Sequence, residues 1–181
     1  GRQDAGGVPQ ALGKVSPGMT PERLRDLADL LARTGAPYMV IGGLAVSVHG
    51  RPRMTFDADV TLALRPDELP RVLDAARRSG FESRSNDTQR FVDETNVLPL
   101  RRTTDGWEVD LVFAGSPYER EAISRAEPVE IGGVSLRVVS AEDLLIHKIL
   151  AGRPRDLEDA ESIVARQGDR LDADFPRGFL L

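Results

Sequence analysis

The chain has 181 residues, a formal net charge of −5 and no cysteine. That length suits one domain with a real hydrophobic core. The composition excludes disulfides and thiolate metal sites, and the acidic balance argues against a generic nucleic-acid coat protein. No run of about 18 apolar residues is present, and no secretory signal pattern opens the chain, so a cytoplasmic protein with no membrane partner is expected.

Residues 1–19 are rich in Gly, Pro and polar side chains and read as a flexible leader. Thr20 with Pro21 predicts a helix start, and Leu24, Leu27, Leu30 and Leu31 fall on one stripe that ends at Gly35. Tyr38 to Ile41 reads as a buried strand, followed at once by Gly42 and Gly43 and a short apolar helix closed by Gly50. After the basic turn Arg51-Pro52-Arg53, residues 55–60 predict a second strand carrying Asp57 and Asp59.

This stretch has a chemistry of its own. Two glycines after a strand allow a tight turn and close approach to a ligand. The following helix aims free N–H groups at the turn, which favours an anion there. Residues i and i+2 of a strand point to one side, so Asp57 and Asp59 project together. Two parallel carboxylates call for a cation, and Mg²⁺ (or Mn²⁺) commonly joins such a pair to substrate phosphates. A glycine pair or an Asp-x-Asp alone more often marks a turn or a wet strand end; the order of the two is what carries information.

A helix is expected from Arg65-Pro66-Asp67 to Gly80, with Leu69, Val72, Leu73 and Ala76 inward. Residues 81–84 read as a strand, 85–89 as a polar loop, and 97–101 as a strand joined across Asp105-Gly106 to residues 107–113. In that last strand Glu108 and Asp110 share a face. Asp110 supplies a third carboxylate if the strand lies beside Asp57 and Asp59, or simply decorates a wet edge if it does not. Trp107 reads as core.

A helix follows from Pro117, then a hairpin around Gly132-Gly133. Ser140 and Asp143 predict a capped helix with Leu145 and Ile149 inward and Leu144 and Lys148 one turn apart. Gly152 closes it. A last helix starts near Pro154, with Leu157, Ala160, Ile163 and Val164 on its apolar side and Asp156 and Asp159 on another. Of 24 basic residues only Lys14 and Lys148 are lysine. That is either codon bias or a position where a compact ammonium is wanted on phosphate. His49 reads as a packing or polar-edge residue rather than a ligand, and His147, next to Lys148, as pointing elsewhere around the helix. Arg51 and Arg53 are placed to reach phosphate or acceptor, or to pair with Asp57 in the absence of metal.

Together these residues resemble a minimal nucleotidyltransferase of the DNA polymerase beta superfamily, and more narrowly the AbiEii-type toxin family. Gly42-Gly43 with Arg53-x-Thr55-x-Asp57-x-Asp59 resembles the first motif, Val109-Asp110-Leu111 the second, residues 143–151 with Lys148 the third, and Arg153-x-Arg155-Asp156-x-x-Asp159 the fourth. Lysine is usual where Arg155 stands, and Leu44 follows the glycine pair where much of the superfamily has serine. The resemblance implies an α/β (α+β) fold: a twisted mixed β-sheet flanked by helices, with C-terminal helices. It implies a nucleotidyltransferase domain over 20–168 and a C-terminal tail over 169–181.

It also implies NMP transfer from an NTP to a hydroxyl on tRNA, protein or a small molecule, in a toxin paired with an antitoxin. Catalytic roles would fall to Asp57, Asp59, Asp110, Lys148 and Asp156, and less firmly Asp159. Nucleotide contacts would fall to Gly42, Gly43, Arg53, Thr55 and Lys148, and the metal to Asp57, Asp59 and Asp110. The alternative is a catalytically silent nucleotide-binding or interaction module with the same fold.

Overall fold

The computed structural model describes residues 18–172 and Phe175. Helix α1 (Pro21–Thr34) starts as expected: the Thr20 hydroxyl accepts from the Arg23 N–H, and Gly35 ends the helix in the left-handed conformation. Its four leucines are buried. Met19, the last residue of the expected leader, is also buried; the remainder of that leader, residues 1–17, lies outside the described residues.

Strand β1 (Tyr38–Ile41) runs directly into α2 (Gly42–His49) and returns as β2 (Asp57–Leu62). A 3-10 turn, Pro66–Glu68, leads into α3 (Leu69–Arg78), then β3 (Phe81–Ser83). The loop expected over 85–89 runs from its last two residues into a helix for which the sequence reading made no provision, α4 (Thr88–Thr95). Its signals were short but present. Asp87 caps it by accepting from the Arg90 N–H, and Asn96 closes it with φ 57°. Only Val92 of α4 is buried, so apolar periodicity could not reveal it.

Strands β4 (Val97–Arg102) and β5 (Glu108–Phe113) form the expected hairpin. Then come α5 (Pro117–Arg125), the hairpin β6 (Glu127–Ile131) and β7 (Val134–Val138), α6 (Ala141–Ala151) and α7 (Pro154–Gln167). A turn at Gly168–Arg170 follows. Of the expected tail, residues 173–174 and 176–181 lie outside the described residues.

The strands make one mixed seven-stranded sheet in the order β3-β4-β5-β2-β1-β7-β6. β2/β5 and β1/β7 are parallel; the other pairs are antiparallel. β5 is thus an interior strand, not an edge. Its core-facing residues Val109, Leu111 and Phe113 are buried, as is Trp107 before it. Helices flank the sheet, so the α/β architecture expected from the motifs is the one observed.

The last two helices correct the sequence reading. In α6 Leu145 is only partly buried and Ile149 is 61% exposed, while Leu144 and Lys148 are buried. In α7 Leu157 and Val164 face solvent, while Asp156, Asp159, Ala160 and Ile163 are buried. α6 is apolar nearly all round, so its pattern left the buried face open. Pairing of Lys148 with the α7 acids chose it.

Candidate active site

The carboxylates meet through strand register. Asp59 stands opposite Asp110 in the parallel β2/β5 pair, and Asp57 opposite Glu108. Cross-strand neighbours share a face, and strand alternation puts Asp57 on the face of Asp59. Asp57, Asp59 and Asp110 line one cavity of about 550 Å³. Gly42 and Gly43 at the start of α2 form one part of its wall; Lys148, Arg153, Arg155, Asp156 and Asp159 form another, and Arg53 also reaches it.

Both glycines are required by close approach. Gly42 has φ +63°, and a Cβ there would lie 2.0 Å from Asp59 Oδ2. A Cβ on Gly43 would lie 2.6 Å from Thr55 Oγ1. Thr55 itself is buried and its hydroxyl donates to Asp57 Oδ1 at 3.1 Å. It is not among the residues lining the cavity, so the structure places it behind Asp57 rather than on the expected nucleotide surface.

Lys148 is the centre of an ion network. Its Nζ lies 2.9 Å from Asp156 Oδ1 and 2.9 Å from Asp159 Oδ2. Arg153 Nε donates to Asp156 Oδ2 at 2.6 Å. Arg53 holds Asp159 with two bonds, Nε to Oδ1 at 3.0 Å and Nη2 to Oδ2 at 3.2 Å. Arg53 therefore pairs with Asp159, not with Asp57. Arg51 does not join the network; its backbone N–H donates to Ser162 Oγ. Ions this buried persist only when each is paired, and here the acids of α7 and the cations of α6 and of the loop before β2 satisfy one another.

The acids on the sheet are less well compensated. Burial, then repulsion from Asp57 and Asp110, pushes the Asp59 carboxyl up to about 6. Burial also raises Asp110, against the opposing pull of Arg84. Burial works against ionised Asp156 too, but its bonds to Arg153 and Lys148 win and hold it below the usual carboxylate range.

Among the described residues no group of three His, Cys, Asp or Glu side chains forms a ready-made metal cage. The donor chemistry nevertheless fits a hard divalent cation: three carboxylates line one cavity, and burial together with repulsion from its two neighbours raises the middle one.

Residues 19–174 match the profile of a family described as uncharacterised nucleotidyltransferases. The chain belongs to that family. Its family chemistry is NTP-dependent nucleotidyl transfer, and its fold recurs in solved structures. The lincosamide antibiotic adenylyltransferase LnuA, solved with lincomycin bound, superposes with a TM-score of 0.57 at 14% identity, over 81% of this chain and 97% of that one. The antibiotic-resistance factor ANT(2'')-Ia gives 0.54 at 16% identity, over 90% and 95%. An antigenic nucleotidyltransferase-like protein from Paracoccidioides brasiliensis gives 0.53 at 24% identity, over 81% and 78%. No curated protein matches the chain. The narrower AbiEii-type likeness rests on the motifs alone.

Of the residues singled out from the sequence of this nucleotidyltransferase, Gly42, Gly43, Arg53, Asp57, Asp59, Asp110, Lys148 and Asp156 share the cavity wall. His147 joins them, contrary to the expectation that it points elsewhere; burial keeps its imidazole below its ordinary value, and its ring lies 5.9 Å from that of Tyr118. His49 does serve packing: its Nε2 lies 2.7 Å from the Val139 carbonyl. Arg84, which holds Asp110, drew no attention in the sequence. It lies in a polar segment with no motif, and only the pairing of β3 with β4 brings it near.

Proposed function

We propose that this nucleotidyltransferase moves NMP from an NTP to a hydroxyl acceptor at the cavity between the sheet and α6/α7. One observation carries the reading: Asp57, Asp59 and Asp110, aligned on two adjacent parallel strands, share a cavity with the buried, doubly paired Lys148.

The N–H groups at the start of α2, reached past Gly42 and Gly43, take phosphate oxygens. Lys148 places a point charge on the triphosphate, with Arg153 and Arg155 beside it and Asp156 and Asp159 fixing its direction. A divalent cation, Mg²⁺ or Mn²⁺, held by Asp57, Asp59 and Asp110, would neutralise phosphate charge when bound. The acceptor oxygen bonds to the α-phosphorus. The bond from that phosphorus to the bridging oxygen breaks, and pyrophosphate leaves with the electron pair. The acceptor's proton passes to Asp110 and on to water. Catalysis of this kind is mostly positioning and charge neutralisation.

The acceptor classes are tRNA, protein and small molecules. One neighbour in fold is described as a lincosamide antibiotic adenylyltransferase and another as an antibiotic-resistance factor, which keeps a small-molecule acceptor in view. The toxin role, with an antitoxin partner, follows from the AbiEii-type motifs. Growth arrest on induction, lost with Asp57→Ala/Asp59→Ala, would support it.

The deciding experiment is label transfer. Each α-labelled NTP is given with Mg²⁺ or Mn²⁺ to the protein with total tRNA, with cell lysate, with an antibiotic panel and alone. Label on one class, absent with Asp57→Ala/Asp59→Ala, establishes reaction, nucleotide and acceptor class together. No label, combined with no metal-dependent NTP binding, overturns the reading.

A further inference from the structure

Arg84 stands at the end of the row that carries the carboxylates. β3 pairs with β4 so that Ser83 faces Leu100, and the next N–H, that of Arg84, donates to the Pro99 carbonyl at 2.9 Å. Pro99 faces Asp110, Asp110 faces Asp59, and Asp59 faces Ile41. One transverse row therefore runs Arg84, Pro99, Asp110, Asp59, Ile41, and its last three members line the cavity.

The guanidinium is anchored on three sides. Nε donates to the Leu100 carbonyl at 3.2 Å, Nη2 to Asp110 Oδ1 at 2.5 Å, and Nη1 lies 3.4 Å from Glu108 Oε2. A surface ion pair ordinarily contributes little, because two long side chains must be ordered to make it. Here the backbone carbonyl has already fixed the fork, so its second arm has a set direction.

The three acids differ in how they are held. Thr55 donates to Asp57. Arg84 is the one side chain among the described residues that donates to Asp110. Lys148 and Arg153 act on Asp59 and Arg84 acts on Asp110, so neighbouring acids of the row are served by different cations.

We propose that Arg84 is a positioning residue for nucleotidyl transfer, holding Asp110 by Oδ1 so that Oδ2 is left to receive the acceptor hydroxyl. Arg84 stays protonated throughout and exchanges no atom with substrate. This rests on the reading of the cavity as a nucleotidyl-transfer site.

The test is a double-mutant cycle of Arg84→Gln and Asp110→Asn, with Arg84→Lys beside it. Transfer is measured with the NTP and acceptor fraction (tRNA, lysate or antibiotic) labelled by the wild type. Mn²⁺ binding is measured by electron paramagnetic resonance with an ATP analogue bridged by carbon between the α- and β-phosphates. Thermal melts report folding. Arg84→Gln is expected to fold normally, to leave KM for NTP unchanged, and to lower kcat by roughly ten- to a hundredfold through misplacement of Asp110. The double variant is expected to be no slower than Asp110→Asn alone, and Arg84→Lys, which lacks the fork, to rescue little. Mn²⁺ is expected to bind Arg84→Gln no more tightly than wild type.

Wild-type transfer in Arg84→Gln overturns the proposal, as do losses that multiply in the double variant. Tighter Mn²⁺ binding with faster transfer does so too, since it would mark Arg84 as a competitor of the cation. If the wild type neither transfers label nor binds Mn²⁺ with the analogue, the nucleotidyl-transfer reading falls, and the role of Arg84 with it.

Discussion

Gly42 and Asp59 occupy each other's space: a Cβ on Gly42 would lie 2.0 Å from Asp59 Oδ2 and 2.8 Å from its Cγ. With φ +63° at Gly42, a side chain there also enters the left-handed region, which costs roughly 1–2 kcal/mol. Gly42→Ala is therefore expected to lower the melting temperature and to abolish transfer by displacing the carboxylate. A variant that melts and turns over like wild type would show that Asp59 has room to move.

Thr55 sits behind Asp57 and donates to Oδ1. A hydrogen bond to a charged group contributes about 1.5–3 kcal/mol, so Thr55→Val is expected to slow transfer roughly tenfold or more. The side chain keeps its shape, so the fold should hold. Steady-state kinetics with a thermal melt checks both; unchanged kcat would remove Thr55 from the site.

Lys148 bridges two acids that each keep another cation, Arg153 on Asp156 and Arg53 on Asp159. Breaking a buried pair costs about 3–5 kcal/mol when the partner is stranded. Lys148→Ala is thus expected to fall at or below that range in a denaturant melt, yet to lose most of its turnover. Lys148→Arg should restore stability better than rate, because its charge is spread over a planar group. Full rescue of rate by arginine would sink the point-charge argument.

The raised carboxyl of Asp59 has a pH signature. Its folded-state value of about 6 lies above the ordinary 3.8. The folded protein therefore holds that proton more tightly than the unfolded chain. This contribution to stability is complete below about pH 4 and is lost as pH rises through about 6. Asn cannot ionise, so the melting temperature of metal-free Asp59→Asn is expected to gain on wild type across that window and to run parallel above it. A constant difference from pH 4 to pH 7.5 would refute the shift.

Much of the site was legible because its parts are neighbours in sequence. β1, the glycine pair, α2 and the Asp57/Asp59 strand follow in one run, and strand alternation alone sets the two acids on one face. Capping signals likewise placed α1 and α6. α4 escaped because a helix with a single buried residue leaves no apolar stripe to read.

Other features were decided only by the tertiary structure. Asp110 lies beside Asp59 because β2 and β5 pair in parallel register, a choice between wet edge and interior strand that its own alternation left open. α6 and α7 bury Lys148, Asp156 and Asp159 and leave Ile149, Leu157 and Val164 in solvent: α6 is apolar nearly all round, so its own pattern does not set its phase, and in α7 only Ala160 and Ile163 of the expected stripe are buried, beside the acids that pair with Lys148. Arg84 reaches Asp110 only across β4. Local sequence determines what repeats within a strand or a helix turn. Register between distant strands and the phase of an all-round apolar helix are set by long-range pairing, which no window of the chain contains.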